Sequence, residues 1–379
     1  MTPNTQHPIT IGFDAKRIVS NATGLGSYGR TLVGDLAAKG GFSLRLYAPT
    51  PGRDDLRRQV ADLPDVTLVY PQRCISRSLW RSHGIVSDLR RDGVQLFHGL
   101  SGELPVGISR SGIHSVVTIH DLIFLRHPQF YHWIDTKIYA WKFRVACREA
   151  DRIIAISECT RRDIMELGGV SADRIDLVYQ SCAPRFTTDV GADLQQRVAH
   201  DWQLPSRYVL SVGTIEERKN LLLAVKALRR LPDDLHLVAV GRTTDYAEQV
   251  LAWARREQLA HRVHFLHGVP DADLPAIYSL AEVFVYPSRY EGFGIPVIEA
   301  IHCGLPVVAC TGSCLEEAGG PDSLYVSPDD PDALAAAILQ LQRGAPDREA
   351  RIARSRSYVR RFEGTDVAGQ VTDIYRRLL

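Results

Sequence analysis

Short apolar runs alternate with longer amphipathic, charged segments along most of this chain of 379 residues. This rhythm is typical of parallel strands that are buried by helices on both faces of a sheet. The first series of apolar runs lies at 9–14, 44–47, 66–69, 96–98, 116–120, 153–157 and 175–178. We therefore predict a doubly wound α/β fold, in which ligands bind beyond the carboxyl ends of the strands.

The same rhythm starts again near residue 207, after a polar and weakly patterned stretch at 182–205 that we interpret as a linker. The second series lies at 208–213, 235–241, 263–266, 283–286, 306–309 and 324–326. The chain is long enough for two domains. We expect Rossmann-like domains at 1–186 and 205–363 with a cleft between them, and a final helix at 364–379 that packs back on the first domain.

Composition excludes several classes of protein. The 45 basic and 44 acidic residues nearly balance, so the chain is not a strongly basic nucleic-acid binder, and we expect no nucleic-acid partner. No apolar run is long enough to span a bilayer, and residues 1–7 do not resemble a signal peptide. The seven cysteines form no CxxC pair, which favours reduced thiols and a cytoplasmic protein.

Basic and aromatic residues are concentrated at 73–148, where eleven basic residues face five acidic ones. Such a surface can bind anionic lipid headgroups and would place the protein at the inner face of a membrane. An ordinary solvated face with buried aromatic side chains explains the pattern equally well, so both interpretations remain open.

The segment 289–300 (Arg-Tyr-Glu-Gly-Phe-Gly-Ile-Pro-Val-Ile-Glu-Ala) is the most informative part of the chain. Gly292 and Gly294 permit close approach of the backbone to a ligand, and a helix that opens near Pro296 offers free amides to a diphosphate. Glu291 and Glu299 could accept hydrogen bonds from hydroxyl groups. The alternative is that the glycines only form a turn and that Glu299 is a solvated helix residue.

Two glutamates separated by seven residues, with Gly-Phe-Gly-Ile-Pro between them, resemble the signature of retaining glycosyltransferases of family 4, which have the GT-B fold. The resemblance extends over nearly the whole chain, and the subgroup that the chain resembles most is the mannosyltransferase B-like enzymes of bacterial polysaccharide assembly. It implies that 1–186 is the acceptor-side domain and that 205–363 is the domain that binds the nucleotide sugar. Further matching segments are Thr23–Arg30, His120–Leu122, Val212–Asn220 and Cys303–Ala309.

For the donor, the resemblance implies that Glu299 holds the ribose hydroxyls and that Glu291 holds those of the transferred sugar. The amides of Phe293 and Gly294 would assist Glu291, and Ile295 would belong to the same donor-binding loop. For the diphosphate, it implies a clamp that offsets the charge of the leaving nucleotide, formed by Arg218 and Lys219.

Other residues follow from the same resemblance. His120 would contact the donor sugar and support its transition state, although a polar cap at a strand end is the alternative. Gly24 and Gly26 would let the backbone of the first domain approach the diphosphate. Thr214 departs from family members that carry arginine there. Apart from the resemblance, His98 lies at another strand end and could line an acceptor cleft or be structural.

The implied reaction moves a hexose from a nucleotide diphosphate sugar to a glycan acceptor, with retention of configuration. GDP-mannose is the leading donor, with rhamnose, glucose and N-acetylglucosamine donors open. The acceptor would be lipid-linked, in lipopolysaccharide or exopolysaccharide synthesis, with a soluble acceptor as the alternative. Neither a metal nor another cofactor is expected. A sugar-nucleotide epimerase and a non-catalytic sugar-nucleotide-binding protein are the alternatives.

Two further motifs are weak. Residues 24–29 match GxGxxG, the fingerprint of dinucleotide-binding domains. In those domains the glycines follow the first strand directly, whereas here they begin about ten residues after it, and the second strand does not end in an acidic residue that could bind the ribose of a dinucleotide. Asp271-Ala272-Asp273 resembles the metal-binding DxD of other glycosyltransferases, but we interpret it as a helix cap.

Overall fold

The computed structural model describes residues 9–72 and 76–379. The chain forms two compact units, one of Met1–Tyr179 with Asp366–Leu379 and one of Gln180–Thr365. The first three residues of the basic segment predicted at 73–148 lie outside the described residues.

The first unit contains a parallel sheet with the strand order β3-β2-β1-β4-β5-β6-β7. The strands read as near-continuous apolar runs because both faces of the sheet are covered. Phe13 of β1 and Leu46 of β2, for example, have no exposed surface. The strands are β1 Ile9–Asp14, β2 Phe42–Tyr47, β3 Val66–Val69, β4 Leu96–Gly99, β5 His114–Ile119, β6 Arg152–Ala155 and β7 Ile175–Leu177.

Helices cover both faces of this sheet. The last helix of the chain belongs to this unit, where Val371 and Tyr375 lie in the same hydrophobic cluster as β1 and β2. The helices are α1 Lys16–Ser20, α2 Gly24–Lys39, α3 Asp54–Ala61, α4 Arg77–Leu79, α5 Ile85–Arg91, α6 Ile123–Arg126, α7 Trp133–Glu149 and α8 Glu158–Gly168, with the C-terminal helix Val367–Arg376 at the end of the chain.

The second unit repeats the architecture with a parallel sheet of order β10-β9-β8-β11-β12-β13. Its strands are β8 Tyr208–Val212, β9 His236–Val240, β10 Val263–Leu266, β11 Val283–Tyr286, β12 Val307–Cys310 and β13 Leu324–Val326. Its helices are α9 Ala192–Asp201, α10 Leu221–Ala227, α11 Asp245–Arg256, α12 Leu274–Leu280, α13 Ile295–His302, α14 Leu315–Gly319, α15 Pro331–Leu341 and α16 Arg348–Val359. The predicted doubly wound class is confirmed.

The linker predicted at 182–205 is wrong in its middle, because residues 192–201 form helix α9 of the second unit. Val198 is the buried anchor of this helix, and Arg197 and Trp202 each donate to the Asp273 carboxylate, at 2.7 and 3.1 Å. Because only one of its ten residues is buried, helix α9 has almost no apolar periodicity and could not be predicted from the sequence pattern.

The same contacts correct the interpretation of Asp271-Ala272-Asp273. Asp273 precedes α12, but its side chain makes no cap hydrogen bond to that helix and binds α9 instead. Asp271 pairs with Arg185 at 3.0 Å. Each of the two aspartates therefore forms a structural ion pair with an arginine.

The segment Thr23–Arg30, in which Gly24 and Gly26 are predicted to approach a diphosphate, is helical from Gly24 onward. Residues 24–39 form α2, and a Cβ at Gly26 would lie only 1.8 Å from the Asn21 carbonyl oxygen. Gly26 is therefore needed because α2 crosses the end of α1 closely. Gly24 lies at the first turn of α2 with open space around it, so its role toward a diphosphate stays a prediction.

Within residues 9–72 and 76–379, none of the helices combines the length and the apolar character that a bilayer crossing requires.

Candidate active site

The segment after β8 presents two cations at the carboxyl edge of the second sheet. Gly213 follows the strand with a positive φ of 144°. The backbone at Gly241 approaches it so closely that a Cβ at Gly241 would lie 2.0 Å from the carbonyl oxygen of Gly213. The chain then makes a single 3₁₀ turn, Glu217–Lys219, and enters α10 through Asn220. The Asn220 amide donates to the Pro287 and Pro328 carbonyls, which holds the turn against the sheet.

Arg218 and Lys219 converge on one carboxylate from the loop after β11. Lys219 Nζ lies 2.6 Å and Arg218 Nη1 3.0 Å from Glu291 Oε1. The Arg289 amide donates to the Arg218 carbonyl at 2.9 Å, which ties the two loops together. We call Arg218, Lys219 and Glu291 the charge cluster. The structure thus brings together three residues that the sequence predicts to share a site.

Two members of this environment were missed from the sequence. Tyr286 ends strand β11, and its hydroxyl accepts from Lys219 Nζ at 2.6 Å while the ammonium also lies over its ring. Glu216 accepts from Arg218 Nη2 at 2.7 Å. The position of Tyr286 at the carboxyl end of a buried strand was the available signal for its involvement.

Burial and charge act in opposite directions on the charge cluster. Burial alone raises the pKa of Glu291, but Lys219 and Arg218 outweigh it and lower that pKa to about 2. Burial disfavours the Lys219 ammonium, but the Glu291 carboxylate outweighs this and raises the pKa of Lys219. All three groups are therefore charged at neutral pH, and the two cations are held in place before any ligand arrives.

The glycine loop leads directly into α13. Gly294 has a φ of 101°, and a Cβ there would lie 2.9 Å from the Leu315 side chain, so glycine is required for both reasons. The side chain of Phe293 packs edge-on against Phe362, 5.2 Å between ring centroids, so only its backbone is available to a ligand. Ile295 begins the helix and is half-buried, and the contacts predicted for the amides of this loop stay a prediction.

Glu299 lies one turn into α13 and contacts Tyr278 rather than the charge cluster. The Tyr278 hydroxyl donates to Glu299 Oε2 at 2.9 Å. Burial raises the pKa of Glu299 to about 7, although the Tyr278 hydrogen bond opposes the shift. The two glutamates of one motif therefore differ in charge: Glu291 is fully ionised at neutral pH, and Glu299 is close to half protonated.

His120 lies at the carboxyl end of β5 in the first unit. Its Nε2 donates to the Leu100 carbonyl at 2.9 Å, and its ring meets the edge of Tyr28 with centroids 4.8 Å apart. Burial lowers the pKa of His120 to about 4, so the ring is neutral at pH 7. His120 also lines a cavity of about 210 Å³ in this unit.

His98 is a structural residue. Its side chain has no exposed surface, Nδ1 lies 2.6 Å from the Tyr375 hydroxyl of the C-terminal helix, and Nε2 lies 2.8 Å from Thr118 Oγ1. Burial lowers its pKa to about 3. The suggestion that His98 lines an acceptor cleft is therefore wrong, because both ring nitrogens are committed inside the core.

Known families match both units. The model of Glycosyltransferase Family 4 matches residues 22–181, and that of Glycosyl transferases group 1 matches residues 193–358. O-antigen chain mannosyltransferase B of Escherichia coli is 31% identical over 332 residues, which are 85% of this chain and 82% of that protein. The chain belongs to glycosyltransferase family 4.

Other relatives of this family 4 glycosyltransferase are partial or more distant. The serotype-specific mannosyltransferase WbdA of Escherichia coli is 28% identical over 62% of this chain, which spans only 30% of that protein. Sucrose-phosphate synthase of Thermosynechococcus elongatus has the same fold, with a TM-score of 0.79 at 21% identity over 98% of this chain and 99% of that one. HepE of Anabaena, solved with UDP-glucose, has a TM-score of 0.76 at 15% identity, over 98% of this chain and all of that one. The GT-B fold is thereby confirmed.

Proposed function

We propose that this family 4 glycosyltransferase moves mannose from GDP-mannose to a hydroxyl of a lipid-linked glycan during bacterial surface polysaccharide synthesis, with retention of the anomeric configuration. The choice of sugar rests on the similarity, over 85% of this chain, to a protein named as an O-antigen chain mannosyltransferase. The chemistry rests on one observation, which is the convergence of Arg218 and Lys219 on Glu291.

The charge cluster suits a diphosphate leaving group. Breaking the bond between the sugar and the diphosphate puts negative charge on the departing oxygen, and cations that are already positioned stabilise this charge without reorganisation. Lys219 is fixed by Glu291 and Tyr286 together. Arg218 donates to Glu216, whose side chain is 35% exposed, so a diphosphate can replace this partner while water solvates it.

Glu291 has a role other than covalent attack in this proposal. Its Oε1 accepts from both cations, and its low pKa makes it a weak nucleophile that serves better as an acceptor for the hydroxyls of the donor sugar. We propose a same-face substitution. The acceptor oxygen bonds to the anomeric carbon as the bond from that carbon to the diphosphate breaks, and the acceptor proton passes to an oxygen of the departing diphosphate.

The remaining donor contacts extend this arrangement. Glu299 would hold the ribose hydroxyls, and the backbone amides of Phe293, Gly294 and Ile295 would complete the donor site. The neutral His120 would contact the donor sugar. Because the two fixed cations already offset the diphosphate charge, we propose that transfer needs neither a metal nor another cofactor.

We also propose that helix α7 brings the protein to an anionic membrane surface. Trp133, Ile134, Ile138 and Trp141 are 62, 44, 44 and 42% exposed on this helix, which is unusual for side chains of this size. Lys137 lies 4.9 Å over the Trp133 ring. Exposed aromatic and aliphatic side chains beside basic ones suit the boundary between headgroups and acyl chains, where a lipid-linked acceptor is found.

Ligand screening followed by product analysis tests the proposed reaction. GDP-mannose should raise the melting temperature more than UDP-, dTDP- or ADP-sugars, since a ligand that binds only the folded state stabilises it. Transfer to an α-mannoside acceptor should continue in excess chelator. NMR of the product should show that the new glycosidic bond is axial, as in the donor. An inverted product would reject the same-face mechanism, and sugar isomerisation without an acceptor would favour the epimerase instead.

A further inference from the structure

The side chain of Tyr278 is fully buried in the second unit, and its hydroxyl reaches the residue predicted to bind the ribose of the nucleotide. Tyr278 lies on helix α12 and donates to Glu299 Oε2 of helix α13 at 2.9 Å. Glu299 is only half-buried, so part of its side chain is accessible to a ligand. A carboxylate has about four acceptor positions, of which Tyr278 occupies one. Enough remain for the two hydroxyls of a ribose.

Tyr278 belongs to a row of aromatic side chains that pack against one another. Its ring lies edge-on against Phe186, with 5.6 Å between ring centroids, and 5.4 Å from the ring of Phe284. Phe284 in turn stacks on Tyr286 at 5.7 Å. At this end of the row the Tyr286 hydroxyl accepts from Lys219. Rings that are packed this closely have little freedom to move, so the row fixes where both hydroxyls lie.

Other titratable or charged groups lie on the segments around Glu299. They include Cys182, Arg185, Asp271, Cys303, Glu316 and Arg356. Burial and the Glu299 carboxylate raise the pKa of both thiols, which therefore stay neutral. Arg185 and Asp271 pair with each other at 3.0 Å and act on Glu299 in opposite directions. The last two groups act on a neighbouring tyrosine and on the Cys303 thiol.

The Tyr278 hydroxyl favours the ionised form of Glu299. Burial raises the pKa of Glu299 to about 7, and the Tyr278 hydrogen bond is the strongest influence against this rise. Burial also raises the pKa of Tyr278 well above its ordinary value of 10, so the hydroxyl keeps its proton while Glu299 titrates. An ionised carboxylate accepts stronger hydrogen bonds than a neutral carboxyl group. Without this hydroxyl, less of Glu299 would be in the form that binds a ribose well at pH 7.

We propose that Tyr278 is a positioning residue of the donor site, whose hydroxyl orients the Glu299 carboxylate so that it accepts the ribose hydroxyls of the nucleotide. This assignment rests on the proposed function, in which Glu299 holds the ribose. Tyr278 has no exposed surface, so it acts through Glu299 and does not touch the nucleotide itself. Its effect should therefore appear in nucleotide affinity and in the pH dependence of that affinity.

Titration calorimetry of the full-length protein with GDP between pH 6 and pH 9 tests this role in Tyr278→Phe, which keeps the ring and removes the hydroxyl. A hydrogen bond to a charged group changes an equilibrium constant about tenfold, so the midpoint of the pH profile should rise from about pH 7 to about pH 8. At pH 7 about one tenth of Glu299 would then be ionised instead of about one half, and GDP should bind about fivefold more weakly than to wild type. At pH 9 the two affinities should be nearly equal. Comparison with wild type at each pH cancels the titration of the GDP phosphates.

Tyr208→Phe is the matched control. The Tyr208 hydroxyl is also buried and donates to the Ile277 carbonyl of α12 at 2.6 Å, so this variant removes a hydroxyl beside the same helix and leaves the one on Glu299. Both variants should lose some thermal stability, but the affinity of Tyr208→Phe for GDP should follow wild type at every pH. A second control is 2′,3′-dideoxy-GDP, which lacks the ribose hydroxyls. Wild type and Tyr278→Phe should bind it equally well throughout the pH range.

The outcomes separate this proposal from the proposed function. A loss of GDP affinity in Tyr278→Phe that is recovered at pH 9 and is absent for dideoxy-GDP supports the proposal, even where no mannose is transferred and the proposed function fails. Where wild type binds UDP and not GDP, the donor assignment fails, and the same pattern with UDP supports the role of Tyr278. A loss of equal size at every pH, a loss shared by Tyr208→Phe, or no loss overturns the proposal and leaves the proposed function standing. Failure of wild type to bind any nucleoside diphosphate overturns both.

Discussion

Replacing Lys219 with methionine removes one of the two cations that hold the buried Glu291 carboxylate and keeps much of the apolar length of the side chain. In the folded protein the pKa of Glu291 falls from its ordinary value of 4.5 to about 2. At roughly 1.4 kcal/mol per pKa unit, this net shift corresponds to about 3 kcal/mol of stabilisation, which is what remains of the attraction to Lys219 and Arg218 after the cost of burying the carboxylate. Lys219 lowers the pKa of Glu291 more than Arg218 does, and Arg218 stays beside Glu291 in the variant, so we expect the loss of Lys219 to cost about 2 kcal/mol.

Lys219→Met should therefore lower the melting temperature of the second unit by about 4–8 °C at pH 7, since about 1 kcal/mol shifts a unit of this size by about 2–4 °C. The pKa of Glu291 is lowered by folding, so its stabilisation is complete above pH 4.5 and is lost as the pH falls toward 2. The difference between variant and wild type should shrink over that range. Transfer should fall roughly 100- to 1,000-fold, as for removal of one fixed donor to a developing anion.

Calorimetry between pH 7 and 3 and a chromatographic transfer assay measure the two effects. Arg230→Met is the matched control, because Arg230 pairs with Asp332 on the surface, where both side chains are about two-thirds exposed. Such pairs contribute about 0–1 kcal/mol, so this variant should match wild type in both assays. Equal melting temperatures for Lys219→Met and wild type, or transfer by this variant within a few-fold of wild type, would refute the role assigned to the charge cluster.

Glu299 and helix α7 give two further predictions. The pKa of Glu299 is about 7, so the affinity for GDP should rise between pH 6 and pH 8 as the carboxylate becomes ionised. Titration calorimetry should show this rise for the wild type and no pH dependence for Glu299→Gln, and a wild-type affinity that does not change with pH would argue against ribose binding by an ionised Glu299. Trp133→Ala combined with Trp141→Ala should abolish sedimentation with anionic liposomes at low salt, and wild-type sedimentation should weaken as salt rises; wild-type protein that stays in the supernatant at low salt would remove the proposed membrane contact.

The strands were predictable because each signal is local. A buried parallel strand is a short apolar run wherever it lies in the chain, and the predicted runs from Ile9–Asp14 to Leu324–Val326 all coincide with strands in the structure. The loop around Glu291 was predictable for a related reason, since two glycines and a proline between a strand and a helix mark the carboxyl edge of a sheet. Helix α9 was missed because its stability comes from contacts with α12, which local patterns do not record.

The site itself combines both kinds of information. The amino-acid sequence by itself determined which residues carry charge at strand ends and therefore that Lys219 and Glu291 belong to one edge of one sheet. Only the tertiary structure decided that one Glu291 oxygen binds both Lys219 and Arg218, across 72 residues of chain in the case of Lys219. It likewise placed Tyr375 against His98, 277 residues away, and so turned a candidate acceptor residue into part of the core. The physical reason is that hydrophobic periodicity reports which face of an element is buried, whereas pKa values and hydrogen bonds depend on atoms that meet only after folding.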